Sequence, residues 1–300
     1  MKIRLKHRIE YACLQTLSAI ACVLPYRLAL LLGAGLAWLA FHVVRFRVEE
    51  AVRRIQLVLG DDVDRRQARR IAWISLRNLF FNAIEILRFA RISRKWVERY
   101  VDTAGVDFIQ AQRPRERGAI LAVPHMGNWD LAGVGSNLMG LPVFFMARRQ
   151  KNPLVDDFLN RLRGVTGVET ILTDSGALRK VVRNLKSGKV FALLPDVRAR
   201  ESGVYVPFLG GTAALATGMV AFARHAAVPI FPACAFREGW TRQRWEVYDP
   251  VYTDPTLDRD ADEQRIMNEV MARFDRVIRA HPEQYFWYNK RWILDPLDLS

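Results

Sequence analysis

From about residue 101 onward, short apolar runs alternate with helical segments, and this alternation constrains the fold more than any other feature of the chain. Parallel strands can be joined only by long crossovers, usually helices, so such a rhythm is buried most simply in a largely parallel sheet covered by helices. It predicts strands over 118–123, 142–146, 168–172, 189–194 and 228–235. Between them it predicts helices over 128–139, 153–163, 175–186 and 218–225. A last helix, over 261–280, sets Met267, Val270, Met271, Phe274, Val277 and Ile278 on one face. The expected fold class is therefore α/β, with a mostly parallel sheet flanked by helices.

The first hundred residues read differently. They hold 19 Lys/Arg against 8 Asp/Glu, so most of the chain's net charge of +14 lies in its first third. A basic surplus of this size draws anionic polymers or anionic membranes. Here the basic residues are interleaved with long apolar stretches, which favours a membrane surface over nucleic acid. Residues 11–24 and 28–44 carry no charge except for their flanks, and Pro25 and Arg27 separate them. The second stretch, as a helix, would extend roughly 25 Å against a hydrocarbon layer of ~30 Å. It fits a tilted span or an interfacial anchor. The basic start and Ala19-Ile20-Ala21 resemble a cleaved secretory signal, but Glu10 and the second stretch argue against cleavage. Further on, Leu76, Leu79, Phe80, Ala83, Leu87 and Ala90 recur at helical spacing, with Arg69, Arg70, Arg77, Arg88 and Arg91 at other positions. Residues 1–100 are thus expected to form a helical membrane-anchoring region, followed by a catalytic domain over 101–300. Cys13, Cys22 and Cys234 show no metal-ligand spacing and are expected to be free thiols.

In open α/β sheets, chemistry collects where strands end and helices begin. The loop after the first strong strand reads Pro124-His125-Met126-Gly127-Asn128-Trp129-Asp130. A group transferred to an alcohol needs a base, because a hydroxyl is a poor nucleophile until its proton is accepted. His125 suits that role, and Asp130 in the first helical turn would orient the imidazole. Backbone N–H groups of Met126, Gly127 and Asn128 would steady an oxyanion. The alternative is a loop histidine bonded to a capping aspartate for structural reasons alone.

The segment Val-Pro-His125-Met-Gly-Asn-Trp-Asp130 resembles the His-x4-Asp/Glu signature of the lysophospholipid acyltransferase superfamily, and more narrowly the late acyltransferases of lipid A biosynthesis. Three further blocks match in order: Ala147-Arg148-Arg149-Gln150-Lys151-Asn152-Pro153, then Leu194-Pro195-Asp196 with the strand after it, then the closing Pro282-Glu-Gln-Tyr-Phe-Trp block. The last commonly carries His-Arg/Lys-Arg where this chain has Asn289-Lys290-Arg291.

The resemblance implies a glycerolipid-acyltransferase-like fold and substrate contacts from Arg148, Asn152, Asp196, Lys290 and Arg291. It implies an acyl carrier protein as donor and a hydroxyl of an anionic lipid A precursor as acceptor. The place of work would be the cytoplasmic face of the bacterial inner membrane, and the mechanism needs no metal or dissociable cofactor. Other acceptors, such as phosphatidylinositol mannosides, stay open on the same motif. So do a thioesterase and a non-catalytic binding protein on the same fold.

Overall fold

The computed structural model describes residues 3–113, 116–173, 176–199 and 203–294. Ser175, the first residue of one predicted helix, lies outside them. Two stops divide the N-terminal apolar region. α1 (Leu5–Val23) starts inside the basic segment and ends before Pro25, which holds Leu24 extended. α2 (Tyr26–Trp38) continues through a π-helical turn, Leu39–Val43. Arg45 and Arg47, both at positive φ, then turn the chain into α3 (Val48–Leu59).

α4 (Arg65–Leu87) opens with a reciprocal cap between Asp64 and Gln67. Its buried face differs from the apolar stripe read from the sequence. Leu76 and Leu87 are buried, but Ala83 and Ala90 are exposed, and polar Ser75, Asn78, Asn82 and Glu85 are buried instead. Each of those polar groups finds a hydrogen-bond partner in the fold, as burial of a polar group demands.

The α/β region follows: α5 (Arg94–Tyr100), β1 (Val101–Asp102), α6 (Ala104–Gln112), β2 (Ala119–Ala122), α7 (Trp129–Leu138), β3 (Val143–Ala147), α8 (Pro153–Gly164), β4 (Glu169–Leu172), α9 (Ala177–Lys186) and β5 (Val190–Leu193). A hairpin of β6 (Val204–Phe208) and β7 (Gly211–Leu215) comes next, then α10 (Gly218–Ala226), β8 (Ile230–Glu238), β9 (Arg242–Val247) and α11 (Arg259–Ala280). The main sheet has the order β1-β9-β8-β2-β5-β3-β4, and its stretch from β8 to β4 is parallel throughout. β9 runs antiparallel to β8, a reversal the alternating pattern does not announce. The other predicted strands and helices form within a few residues of their expected bounds.

Strand alternation sends one set of side chains to each face of the sheet. Ile120, Ala122, Phe144 and Phe191 enter a core shared with α9, α10 and α11. Leu121, Val123, Val143 and Val190 enter another, shared with Leu131 and Val134 of α7 and Leu162 of α8. The first core runs across residue 100: Val52, Ile55, Ala72 and Leu76 pack in it with Met126, Tyr285, Trp287 and Trp292. Among the described residues, Tyr26–Val43 is the one helical run long and apolar enough to cross a membrane, and only a third of it is buried by the protein. α1 lies against α8, where Asn152 donates to His7 O and Glu10 Oε2.

Candidate active site at the carboxyl edge of the sheet

β2 and β5 are parallel neighbours, with Ala122 beside Leu193. Each is followed by an aliphatic residue, a proline and a polar residue: Val123-Pro124-His125 after one, Leu194-Pro195-Asp196 after the other. Equal offsets from a matched register bring the two polar side chains together. His125 Nδ1 lies 2.9 Å from Asp196 Oδ1, and the His125 backbone N–H donates to Asp196 Oδ2 at 2.9 Å. The Tyr285 hydroxyl donates to the same Oδ2 at 3.2 Å. The Asp196 side chain is fully buried, whereas the His125 side chain keeps 20% of its surface. A carboxylate accepts, so Nδ1 carries the ring proton and Nε2 presents its lone pair.

Burial works to lower the His125 pKa, but the charge and hydrogen bond of Asp196 outweigh it, with a further push from Asp130, so the imidazole sits above its usual value. Burial, reinforced by Asp196, holds the Tyr285 phenol well above its ordinary range, so it stays a donor.

The expected partner of the imidazole was Asp130; the structure gives that bond to Asp196. The reason is position. Asp130 is the second residue of α7, and its Oδ1 accepts from Arg163 Nε at 3.1 Å and from its terminal nitrogen at 2.8 Å. Arg163 stands in the last turn of α8 and had no signal in the sequence beyond its charge.

The motif loop also differs from expectation. Met126 N–H donates to Pro124 O and Gly127 N–H to Gln284 O, so neither is open to an oxyanion. Gly127 is required where it stands: its φ is +60°, and a Cβ there would fall 1.9 Å from Ala235 O. Asn128 is buried and caps α7, its Oδ1 accepting from Leu131 N–H. Its Nδ2 donates to Glu85 Oε2 at 2.6 Å, and Asn82 Nδ2 donates to Gly127 O at 2.6 Å.

Behind the loop, Glu85 forms a buried pair with Arg237 and also accepts from Tyr26 and Gln243. Helical periodicity counts apolar residues, so it passed over this group.

A cavity of about 310 Å3 opens beside the imidazole. His125, Trp129, Asp130 and Arg163 border it, and aliphatic and aromatic side chains of β3 and β5 make up most of the rest. Met146 and Val197, on its rim, are apolar and exposed. The remaining residues singled out in the sequence lie outside its lining. Arg148 is exposed one residue beyond Ala147, which does line the cavity. Asn152 is buried and spent on capping α8 and joining it to α1. Lys290 and Arg291 are exposed on a segment that Arg54 ties to α3 through the carbonyls of Trp287 and Asn289.

Fold and site place the chain among α/β proteins whose reacting groups stand at the carboxyl edge of a parallel sheet. Residues 2–293 match the family described as bacterial lipid A biosynthesis acyltransferase, and the chain belongs to that family. The lipid A biosynthesis lauroyltransferase of Escherichia coli is 25% identical over 91% of this chain and 88% of its own length. A phosphatidylinositol mannoside acyltransferase of Mycobacterium tuberculosis is 27% identical over 70% of this chain, a match that covers 66% of that relative. The lipid A biosynthesis acyltransferase of Haemophilus influenzae is 25% identical over 65% of this chain and 60% of its own length. An O-acyltransferase of the lipid A type is what these likenesses support.

Proposed function

We propose that the protein moves a fatty acyl chain from an acyl carrier protein thioester to a hydroxyl of a lipid A precursor, with His125 as the general base. The observation that carries this reading is the bond from Nδ1 to Asp196, which leaves Nε2 as the ring nitrogen available beside an apolar cavity.

In this reading Nε2 accepts the proton of the acceptor hydroxyl as its oxygen attacks the thioester carbonyl carbon. The tetrahedral intermediate collapses, the carbon–sulfur bond breaks, and the leaving thiolate takes the proton back from the imidazolium. An ester and a free thiol result. Asp196 is a positioning residue: it fixes the tautomer and stabilises the imidazolium, in the manner of the third member of a serine-protease triad. Met126 and Gly127 have spent their N–H groups, so Arg163, held by Asp130 on the cavity wall, is the cation assigned to the developing oxyanion. Arg148, exposed at the end of β3, suits an anionic group of the acceptor.

The apolar rim and the exposed positions of Tyr26–Val43 support work at a membrane; the cytoplasmic face of the inner membrane is the side where an acyl carrier protein donor would be met. The basic surplus suits an acidic carrier protein and an anionic glycolipid. No metal or dissociable cofactor has a part in these steps.

The test is a product-mass assay with full-length protein, acyl-loaded carrier protein and a lipid A precursor, run beside His125→Ala. A gain of one acyl chain that the variant lacks is the expected result. Gain on a phosphatidylinositol mannoside alone would transfer the reading to that acceptor. Equal gain with His125→Ala would remove the base.

A further inference from the structure

The cavity beside His125 has a floor, and the register of the sheet shows where it lies. On the face toward α7, Val123 and Leu194 lie in the outermost layer with Ala147; Leu121, Ala192 and Phe145 form the layer beneath; Ala119, Val190 and Val143 form the third. The cavity touches the first layer, reaches Phe145 and Ala192 in the second, and touches none of the third. Below that level the space is filled by Val143, Val190, Leu131 and Val134. Of the second-layer residues that line the cavity, Phe145 is the bulky one, since its neighbour across the strands is Ala192 and Leu121 beyond it is not part of the lining. Phe191, which also borders the cavity, belongs to the core on the opposite face.

Phe145 keeps its place because α7 has a glycine opposite it. A Cβ on Gly133 would lie 2.2 Å from Phe145 Cζ and 2.6 Å from Cε1. Any larger residue at 133 would push the ring away from the helix. Val143 and Val190 close the layer below, so the open direction is the cavity.

We infer that Phe145, seated on Gly133, is the specificity-determining residue that sets how long an acyl chain the cavity takes. This rests on the acyltransferase reading above for the nature of the ligand, but the depth of the cavity is a separate property. A cavity of ~150 Å3 holds benzene, so the roughly 310 Å3 here, open on one side and shared with His125, Asp130 and Arg163, has room for no more than about a dozen chain carbons. Each methylene beyond the floor must then go unburied or displace the ring, which discriminates by roughly 10–200-fold. Replacing Phe145 by alanine removes a six-carbon ring and admits up to about six more carbons, by the same volume comparison. Replacing Gly133 by alanine raises the floor and shortens the chain accepted.

The experiment uses the full chain and a ladder of saturated acyl thioesters from about eight to about eighteen carbons, read by thermal stabilisation, which tracks binding without needing turnover. The native protein should be stabilised best at or below about twelve carbons, with stabilisation falling off steeply beyond. In Phe145→Ala the affinity ratio of sixteen over twelve carbons should rise at least about tenfold. Phe145→Leu, a milder truncation, should move it the same way, which guards against a variant that fails to fold. Gly133→Ala should move the optimum down, and should have no such effect when Phe145 is already alanine, since the ring it displaces is gone. A cut-off unchanged in both Phe145 variants overturns the inference, as does Gly133→Ala shifting the optimum equally with and without the ring. Length-dependent binding that shifts as stated, without transfer to any glycolipid, keeps the floor and removes the acyltransferase reading.

Discussion

Two arginine–carboxylate pairs flank the motif loop, and they differ in how far water reaches them. Behind the loop, Arg237 and Glu85 are sealed, with side-chain exposures of 1% and 0%. In front, Arg163 and Asp130 keep 20% and 13% and face the cavity. The rear carboxylate takes five hydrogen bonds, from Tyr26, Asn128, Gln243 and twice from Arg237, so it joins α2, α7, β8 and β9 at one point. The front pair joins only the start of α7 to the end of α8. Buried pairs punish the loss of one partner heavily, whereas part-exposed pairs contribute little to stability. The rear pair is therefore placed to fix the loop and the front pair to meet a substrate.

That contrast can be broken. Arg237→Ala should cost about 3–5 kcal/mol of stability, because it strands a buried carboxylate, and unfolding in detergent would measure it. An apolar replacement of both Glu85 and Arg237 should stay costly here, since Tyr26, Asn128 and Gln243 would lose their acceptor. Full recovery in the double variant would mean that the network is a simple ion pair.

His125→Ala should leave membrane attachment unchanged and lower transfer by roughly 10²–10⁴-fold, with some loss of stability because it strands one oxygen of the buried Asp196 carboxylate. Loss of membrane attachment along with activity would count against a purely chemical role. Asp196→Asn should reduce kcat by at least about tenfold, through loss of tautomer and orientation. It should also shift the pH profile. The His125 pKa is raised, and a base works only when neutral, so kcat/KM should climb with pH through a pKa above the usual histidine value of ~6.5. Removing the Asp196 charge takes away the main upward influence, so that limb should move to lower pH. A limb that stays in place would assign the titration to another group.

Smallest of all, Arg148→Ala should raise KM for the acceptor a few-fold with little change in kcat. An unchanged KM would leave Arg148 as an ordinary surface charge.

Much of the fold was legible because buried parallel strands write themselves as apolar runs; β2, β3, β4 and β5 all sit where those runs stand. β9 was not, because its antiparallel return to β8 depends on a short turn rather than on a change of pattern. His125 could be read from its loop, and Asp196 from a resemblance that gave it a substrate role. That the two are bonded is a property of register, 71 residues apart in the chain. Arg163 and Glu85 were invisible for opposite reasons. One is an unremarked charge at a helix end; the other hides in a helix whose buried face is partly polar.

The two matching spacers, Val123-Pro124 and Leu194-Pro195, have a further consequence. His125 and Asp196 meet because each lies the same number of residues past paired positions in neighbouring strands. The site is thus sensitive to counting before it is sensitive to chemistry. One residue added to either spacer should separate the pair as surely as mutating it, while a single residue added to both is the more tolerable change. Along a lineage, these two lengths should vary together or not at all.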